Sequence, residues 1–194
     1  MDRCFEEICS RIRRLSEEKD SILIAIDGNC TAGKTTLAGH LAERFPCNVF
    51  HMDEFFLQPH QRTPQRLAEP GGNVDYERFQ QEILLPLKAG RQVIYQPYDC
   101  RSGSLKEAVA MPDKRITVIE GTYSCHPYFG QPYDLTIFMT VSPEVQRQRV
   151  LERPAFKHRM FFETWIPMEQ KYFDAFGIAG SCGIRCSGQE ELWD

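Results

Sequence analysis

The residues with the clearest chemistry form a glycine-rich segment, G-x-x-x-x-G-K-T, from Gly28 to Thr35. It follows the apolar run at 21–26 and precedes a stretch with helical apolar spacing. Strand, glycine-rich loop and helix in this order indicate a phosphate-binding loop rather than a plain turn, because the glycines let successive N–H groups point at one oxyanion. Lys34 would then reach the β- and γ-phosphates of a nucleotide, and the Thr35 hydroxyl would hold Mg²⁺. The predicted nucleotide-binding residues are Gly28, Asn29, Cys30, Thr31, Ala32, Gly33, Lys34, Thr35 and Thr36.

Three acidic residues follow predicted strands: Asp27, Asp53 and Glu120. In an open α/β sheet, ligands bind at the carboxyl ends of the strands, so these side chains are expected near the phosphates. Phosphoryl transfer to a hydroxyl requires a base for the acceptor, a Mg²⁺ ligand and cations over the developing charge. We assign the first role to Asp53 and the second to Glu120, directly or through metal-bound water, and give Asp27 no role. The structural alternatives are a helix N-cap for Asp53 and a surface turn for Glu120.

A cluster of arginines follows the strand predicted at 135–141. Arg149 and Arg153 lie one helical turn apart and face the same side of a helix, whereas Arg147 points elsewhere. A solvated helix face would have a similar composition. Beside a phosphate-binding loop we favour a mobile cationic lid at about 147–160, with Arg149 and Arg153 as catalytic residues.

The elements that position these residues alternate between strands and helices. Strands are predicted at 21–27, 47–51, 92–96, 116–119, 135–141 and 184–186. An amphipathic helix opens the chain, a long polar excursion occupies 57–74, and an irregular or hairpin-like insertion occupies 97–113. We therefore expect a single kinase domain, 1–194, of the α/β class, with a P-loop NTPase-type parallel sheet, helices on both faces and an arginine-bearing lid.

Composition and charge describe an ordinary globular protein: 42% of the 194 residues are hydrophobic, 26% are charged, and the formal net charge is −4. The negative balance argues against non-specific nucleic-acid binding. No apolar stretch is long enough for a membrane span, and Met1–Lys19 lacks the apolar core of a signal peptide. The eight cysteines are therefore expected to be reduced thiols of a cytoplasmic protein, without a zinc site among them.

Six segments occur in a distinctive order between Ser21 and about Phe176: Gly28–Thr36, His51–Phe56, Asn73–Tyr76, Tyr98–Asp99, Glu120–Ser124 and the arginine-rich stretch. In type and order they resemble the uridine kinase family, which is grouped with phosphoribulokinase, pantothenate kinase and nicotinamide riboside kinase among small-molecule P-loop kinases. The turn at His51–Phe56 and the segment Trp165–Met168 are also similar to those of nicotinamide riboside kinases.

The resemblance implies roles for single residues. Asp53 matches the catalytic acid of a D-x-F-[FY] turn. Asp75 matches the carboxylate that grips the ribose hydroxyls of the acceptor, with Glu77 as the other candidate. Arg149 and Arg153 match lid arginines, although the lid has fewer arginines than the usual pattern.

The resemblance also implies an aromatic residue near the base of the acceptor, which Tyr98 matches. Uridine kinases usually follow the Tyr-Asp pair with a histidine that helps to read the pyrimidine. Here the pair Tyr98-Asp99 is followed by Cys100 and Arg101. We place Tyr98 and Arg101 among the substrate-binding residues.

These assignments predict an enzyme that uses ATP and Mg²⁺ to phosphorylate the 5′-hydroxyl of a nucleoside, with uridine or cytidine first. A kinase for nicotinamide riboside, pantothenate or another small hydroxyl acceptor is the alternative. A nucleotide-binding switch or regulatory module is the hypothesis from another class, but the guanine-reading Asn-Lys-x-Asp is absent and Asp-x-x-Gly occurs only at Asp174–Gly177. The expected partner is a small nucleoside-like substrate, with no nucleic acid and no membrane, and a homo-oligomer is left open.

Overall fold

Strands and helices alternate through the computed structural model, which describes residues 3–188. The first half contains α1 (Arg3–Glu18), β1 (Ile22–Gly28), α2 (Lys34–Arg44), β2 (Cys47–His51), α3 (Pro64–Ala68), α4 (Tyr76–Phe79), α5 (Leu85–Lys88) and β3 (Ile94–Tyr95). The second half contains β4 (Tyr98–Asp99), β5 (Ser104–Leu105), β6 (Val109–Ala110), β7 (Ile116–Glu120), β8 (Leu135–Thr140), α6 (Pro143–Leu151), α7 (His158–Met160), α8 (Ile166–Phe176), α9 (Ile178–Ser181) and β9 (Ile184–Ser187).

Five strands form one parallel sheet in the order β2–β7–β1–β8–β9. In this register Glu120 lies opposite His51 of β2 on one side and Ile26 of β1 on the other. Because the strands run in one direction, their carboxyl ends meet at a single edge, where Gly28, His51 and Glu120 each end a strand. The sheet confirms the predicted α/β class.

Two apolar clusters lie on opposite faces of the sheet, because successive residues of a strand point to opposite sides. In β8, Ile137 belongs to one cluster and Phe138 to the other. The first cluster includes buried residues of α1 and α2. The second includes Phe79 of α4 and Phe173 of α8. Helices therefore cover both faces, as predicted.

The polar excursion at 57–74 is folded rather than irregular. It contains a 3₁₀ turn at Pro59–Gln61 and then α3. An isolated antiparallel bridge between Phe56 and Val74 joins its two ends. The excursion therefore leaves and re-enters the domain at one point, beside the end of β2.

The strand predicted at 92–96 is shorter than expected and lies outside the main sheet. Only β3 forms there, and it pairs antiparallel with β6, while β4 pairs with β5 in a second small sheet. Pro97 follows directly and cannot donate to a strand ladder, which limits the extended run. The hairpin-like insertion at 97–113 is confirmed.

Two helices widen into π turns just before a proline. Gln80–Leu84 leads into α5, where Pro86 is the second residue, and Phe161–Trp165 leads into α8, where Pro167 is the second residue. Proline lacks an N–H, and its ring clashes with the carbonyl four residues earlier in an α-helix. A wider turn accommodates the ring in a continuous helix. The helix around Pro167 therefore continues through a π turn rather than breaking at the proline.

A disulfide joins Cys4 in α1 to Cys186 in β9. The expectation that all cysteines are reduced is wrong for this pair. The spacing could not reveal the bond, because only the fold brings together two residues separated by 182 positions. The remaining cysteines are free thiols: Cys9, Cys30, Cys47, Cys100, Cys125 and Cys182.

A membrane-spanning helix is not found among residues 3–188, since none of their helices combines the necessary length and apolar character.

Candidate active site

The glycine-rich loop after β1 has a backbone that side chains would obstruct. Gly28 has a φ of 134°, and a Cβ added there would fall 1.9 Å from the Met139 carbonyl oxygen. Gly33, with a φ of 90°, precedes the first residue of α2, and no side chain caps this helix. The N–H groups of the first turn of α2 are therefore left for a ligand, and the helix dipole favours an anion there.

The Lys34 side chain folds back over this loop. Its Nζ donates to the carbonyl oxygens of Gly28 at 2.8 Å and Asn29 at 2.7 Å. A third contact, 3.2 Å long, joins Nζ to Thr122 Oγ1 on the loop after β7. These oxygens hold a buried ammonium group beside the first turn of α2, where an anion would meet it.

Glu120 and Thr35, the two predicted metal ligands, lie in contact. The Thr35 hydroxyl donates to Glu120 Oε1 at 3.1 Å. His51 Nδ1 lies 2.5 Å from the same oxygen, because β2 and β7 end side by side. The hydrogen bond with Glu120 raises the pKa of His51, although burial opposes this shift. His51 was not predicted as a neighbour of Glu120, because only the strand register reveals this contact.

Asp53 lies in a 3₁₀ turn, Met52–Phe55, immediately after β2. The turn places the Asp53 carboxylate at the same edge of the sheet as Glu120, and Asp53 is exposed to solvent. Desolvation by the surrounding protein raises the pKa of Asp53, and the negative charge of Glu120 raises it further, while His51 lowers it. A carboxylate with a raised pKa at this position can accept a proton from a bound hydroxyl.

Asp75 is buried at the start of α4 and caps this helix. Its Oδ1 accepts the Arg78 N–H at 3.0 Å, and its Oδ2 accepts from Gln61 Nε2 at 2.8 Å. The Arg78 guanidinium Nε lies 3.8 Å from Oδ2 and packs over the ring of Phe55. The carboxylate is therefore held between α4 and the excursion, and its role toward an acceptor stays a prediction.

Glu77, the other candidate for ribose binding, has a different environment. Both of its carboxylate oxygens accept from Arg66, at 2.7 and 2.6 Å. Arg66 also lies over the Tyr76 ring, 3.7 Å from the centroid. Burial alone would raise the pKa of Glu77, but the hydrogen bonds and the positive charge of Arg66, together with a backbone hydrogen bond, lower it overall. Glu77 is therefore paired with Arg66 and does not share the environment of Asp75.

Tyr98 and Arg101 lie in the small β4–β5 sheet and its turn. Tyr98 is buried, and its hydroxyl accepts from Arg62 Nη2 at 2.8 Å. Arg62 also donates from Nε to the Leu57 carbonyl oxygen at 2.9 Å. Arg101 is exposed in the turn, where its backbone N–H donates to Asp99 Oδ1 at 2.9 Å. Arg62 was not predicted, because the excursion gave no motif to mark it.

The two predicted lid arginines differ in their surroundings. Arg149 Nη1 donates to the Thr31 carbonyl oxygen at 2.9 Å, so this arginine reaches the glycine-rich loop. The predicted helix face shared with Arg149 does not form, because α6 ends at Leu151 and Arg153 lies beyond that end. Arg153 is exposed, and its side chain has no hydrogen bond to any residue in the described part of the chain. Arg147 lies over the Phe162 ring at 5.2 Å, away from the loop, as its position on the helix predicts.

A buried polar cluster behind the loop was missed by the sequence analysis. Glu169 Oε2 accepts the Cys30 N–H at 2.9 Å, and Glu169 Oε1 accepts from Gln146 Nε2 at 2.7 Å. Burial raises the pKa of Glu169, while the charge of Lys34 acts in the opposite direction. Burial also raises the pKa of the Cys30 thiol to about 12, so this thiol stays protonated. The signal in the sequence was a glutamate among the aromatic residues of a predicted helix.

Asp27, to which we gave no role, binds the two loops that meet at the site. Its buried carboxylate accepts from the N–H groups of Gly28 at 2.7 Å, Tyr123 at 3.2 Å and Cys125 at 2.9 Å. The Tyr172 hydroxyl of α8 donates to it as well, at 2.8 Å. Burial raises the pKa of Asp27, whereas the hydrogen bonds from Cys125, Gly28 and Tyr172 lower it. Asp27 therefore positions the glycine-rich loop against the loop after β7.

Sequence comparison finds similarity to uridine kinases. Two curated relatives, both uridine kinases of Ureaplasma parvum serovar 3 strains, are 26% identical over 171 residues, which is 81% of this chain and 83% of each relative. No protein-family model matches the chain. The resemblance noted in the sequence motifs is confirmed by these relatives.

Solved structures show the same fold at low identity. A possible uridine kinase from Bacillus stearothermophilus has a TM-score of 0.63 and 21% identity, covering 92% of this chain and 98% of that one. A putative fructose transport system kinase from Silicibacter has a TM-score of 0.66 and 22% identity, with coverages of 94% and 98%. A D-glycerate 3-kinase from Cryptococcus neoformans has a TM-score of 0.69 and 12% identity, with coverages of 100% and 99%. This chain therefore has the same overall fold as these three structures.

Proposed function

We propose that this chain is an ATP-dependent kinase that phosphorylates the 5′-hydroxyl of a nucleoside, with uridine or cytidine as the first candidates. The observation that carries the proposal is the 3.1 Å contact between the Thr35 hydroxyl and Glu120, with Asp53 following the adjacent strand. A phosphate-binding loop, a metal-binding carboxylate and a base for the acceptor would then share one edge of the sheet. The similarity to uridine kinases supports the same activity.

The donor set at this edge fits ATP and Mg²⁺. Mg²⁺ prefers oxygen ligands and is usually held by one or two carboxylates together with substrate phosphates and water. Thr35 offers a hydroxyl and Glu120 a carboxylate, and the uncapped first turn of α2 offers N–H groups for phosphate. When bound, the metal would neutralise charge on the phosphates.

Asp53 would act as the base for the acceptor hydroxyl. Its raised pKa makes the carboxylate a better proton acceptor than an unperturbed aspartate, provided that it is ionised. Lys34 would give up its contacts with the Gly28 and Asn29 carbonyl oxygens and bind the phosphates, since a charged partner attracts an ammonium more strongly than neutral oxygens do.

The acceptor would bind between the excursion and α4. Asp75 and Gln61 form one polar pair there, and Tyr98 offers an aromatic wall. A ribose with two vicinal hydroxyls could donate to Asp75 and accept from the Gln61 amide, which would replace their mutual hydrogen bond. The exposed Arg153 guanidinium, which has no hydrogen bond to residues 3–188, is suited to approach the phosphates when the lid closes.

The position of Arg62 supports a second class of acceptor, one that carries a carboxylate. Its guanidinium lies against the Tyr98 hydroxyl, in the region where an aromatic base would stack. Two of its N–H groups are used by Tyr98 and Leu57, and a guanidinium has five. A carboxylate on the acceptor, as in pantothenate, would form a charge-assisted pair with the remaining donors. A cationic acceptor such as nicotinamide riboside would be repelled.

A nucleotide-binding switch explains the site less well, because Asp53 and the pair of Asp75 with Gln61 have no function in it. The test is a coupled ADP-release screen with uridine, cytidine, nicotinamide riboside and pantothenate, each with wild type and Lys34→Ala. We expect turnover with uridine or cytidine that Lys34→Ala abolishes without a change in thermal midpoint. Turnover with pantothenate alone would select the second class. Tight ATP binding without turnover on any acceptor would support the switch.

A further inference from the structure

Two free cysteines face each other at the wall of a pocket that lies apart from the glycine-rich loop. Cys125 lies on the loop after β7 and Cys182 follows α9, and their Sγ atoms are 4.0 Å apart. A disulfide has an S–S length of about 2.0 Å, so the two sulfurs need to approach by about 2 Å to bond. Bond formation therefore requires rotation of the two side chains or a shift of one of the two loops.

The pocket gives reagents access to both sulfurs. It has a volume of about 460 Å³, and its lining includes Cys125, Cys182, Tyr133, Thr136 and Phe176, but no residue of the glycine-rich loop. Its size lies within the usual range for small-molecule sites. A low-molecular-weight thiol or disulfide can therefore reach the pair without entering the nucleotide site.

The two thiols have unequal tendencies to ionise. The hydrogen bond with Cys125 lowers the pKa of Cys182, and Thr136 and Arg185 act in the same direction, while burial and the negative charge of Asp27 oppose this shift. The same hydrogen bond raises the pKa of Cys125, and burial and the negative charge of Asp27 raise it further. Cys182 is therefore the nucleophile of the pair, because thiolates rather than thiols attack disulfides.

We propose that Cys125 and Cys182 form a reversible disulfide by exchange with a small disulfide that enters the pocket, and that this bond weakens nucleotide binding. The Cys182 thiolate attacks one sulfur of the small disulfide, forming a mixed disulfide and releasing one small thiolate. Cys125, after losing its proton to solvent, attacks the Cys182 sulfur and releases the second thiolate. The protein loses two electrons and two protons, and the small disulfide becomes two thiols.

Asp27 connects the pair to the glycine-rich loop. The Cys125 N–H donates to Asp27 Oδ2 at 2.9 Å, while Asp27 Oδ1 accepts the Gly28 N–H at 2.7 Å. Three residues before Cys125, Thr122 contacts both the Gly28 carbonyl oxygen and the Lys34 ammonium. A displacement of Cys125 toward Cys182 would therefore change the support of the loop. This second half of the proposal rests on the proposed nucleotide binding, whereas the disulfide itself does not.

The experiment uses the full chain with Cys4→Ser and Cys186→Ser, which removes the existing disulfide as a source of exchange. The protein is treated with glutathione disulfide, remaining thiols are alkylated, and peptides are mapped by mass spectrometry. ATP affinity is measured by calorimetry before treatment, after treatment and after reduction. We expect a peptide pair linked through Cys125 and Cys182, with ATP binding at least about fivefold weaker and restored by dithiothreitol.

Matched variants separate this effect from general oxidation. Cys100→Ser removes an exposed thiol outside the pocket and should leave the response intact, whereas Cys125→Ser and Cys182→Ser should each abolish it. Failure to detect the linked peptides in the folded background protein overturns the proposal. If the linked peptides are found but the ATP affinity is unchanged within about twofold, the disulfide forms and the proposed weakening of nucleotide binding is wrong. If untreated protein does not bind ATP at all, the proposed function fails, while the peptide map still decides whether the disulfide forms.

Discussion

Glu169 of α8 accepts a hydrogen bond from the Cys30 N–H at 2.9 Å, which fixes a buried carboxylate to the glycine-rich loop. Gln146 of α6 donates to the other oxygen of the same carboxylate. The proposed lid at about 147–160 begins within α6 and precedes α8, so the helices on both sides of it are joined to the loop through the Glu169 side chain. The geometry of the loop and the position of the lid should therefore depend on each other.

Glu169→Gln is expected to raise KM for ATP by about tenfold or more, because hydrogen bonds to a charged group contribute about 1.5–3 kcal/mol and the new amide would face the Gln146 amide. The thermal midpoint should change little, since the substitution removes the cost of burying a charge. Steady-state kinetics and calorimetry check both. The matched control is Glu163→Gln, which loses only an exposed pair with Arg159. Equal KM values for the two variants would contradict a positioning role for Glu169.

Asp53→Asn is expected to lower kcat by at least about 100-fold while ATP affinity stays nearly unchanged, since the amide cannot take the acceptor proton. In wild type, kcat should fall as the pH drops through the raised pKa of Asp53, because the protonated form is inactive. In Asp53→Asn, this decrease of kcat at low pH should be absent. Glu54→Gln, which alters the neighbouring carboxylate bonded to the Tyr95 hydroxyl, serves as the control. A parallel loss of ATP binding would instead assign Asp53 to the metal.

Asp75→Asn is expected to raise KM for the acceptor much more than KM for ATP. Asparagine is a good N-cap and should preserve α4, whereas it loses the charge-assisted bonds to ribose hydroxyls. Wild type should therefore discriminate against deoxyribose acceptors, and the variant should do so less. Glu77→Gln, which breaks only the pair with Arg66, is the matched control. If wild type uses ribose and deoxyribose equally well, Asp75 does not bind the sugar hydroxyls.

Arg153→Ala is expected to reduce kcat strongly and to leave the affinity for ATP alone unchanged, because its guanidinium is exposed and would reach the phosphates only after closure. Arg149→Ala should weaken ATP binding as well, since Arg149 already contacts the Thr31 carbonyl oxygen. Pre-steady-state kinetics measure the rate of phosphoryl transfer and ATP titration measures the affinity, so together they distinguish the two variants. Protease cleavage within 154–159 should slow when acceptor and a non-hydrolysable ATP analogue are added together. Equal cleavage with and without them would show that the segment does not close.

His126 should make stability depend on pH. Burial lowers the pKa of His126, which stacks between Tyr76 and Tyr172. The folded state then binds this proton less readily than the unfolded state, so the contribution of neutral His126 to stability is complete above the ordinary pKa of about 6.5 and is lost as the pH falls through the lowered value.

The measurement for His126 is the thermal midpoint between about pH 7.5 and pH 5. Wild type should lose stability toward acid, and His126→Asn should flatten this slope while keeping the side-chain acceptor for the Tyr128 N–H. His60→Asn, at an exposed histidine in the excursion, should retain the wild-type slope. An unchanged slope in His126→Asn would assign the acid sensitivity to other groups.

The sheet and the glycine-rich loop could be predicted because their signals are local. Apolar residues marked the strands of the main sheet, most clearly β1, β7 and β8, and the spacing from Gly28 to Thr35 marked the loop. The strand predicted at Gln92–Gln96 does not join the main sheet. Its short ordered part, β3, pairs instead with β6 of the adjacent insertion, and the sequence does not show which strand will be the partner. Periodicity alone does not tell a sheet strand from a short ribbon.

Within the site, the sequence could supply residue types but not side-chain pairings. Glu77 lies two positions after Asp75 and was its alternative as the ribose-binding carboxylate, yet the two side chains have different partners, Arg66 and Gln61. Glu169 and Arg62 carried no motif, since their contacts with the loop and with the insertion exist only in the folded chain. Such long-range polar contacts set the electrostatics of the site.

The bond between Cys4 and Cys186 turns the intervening chain into a covalent ring that contains every element of the candidate site. One cut by a protease, for example beside the highly exposed Phe156, opens this ring but releases no fragment. The nicked protein should migrate as one species in a denaturing gel without reductant and as two species with it. The main sheet would then keep both of its outer strands tethered after the lid segment has been severed.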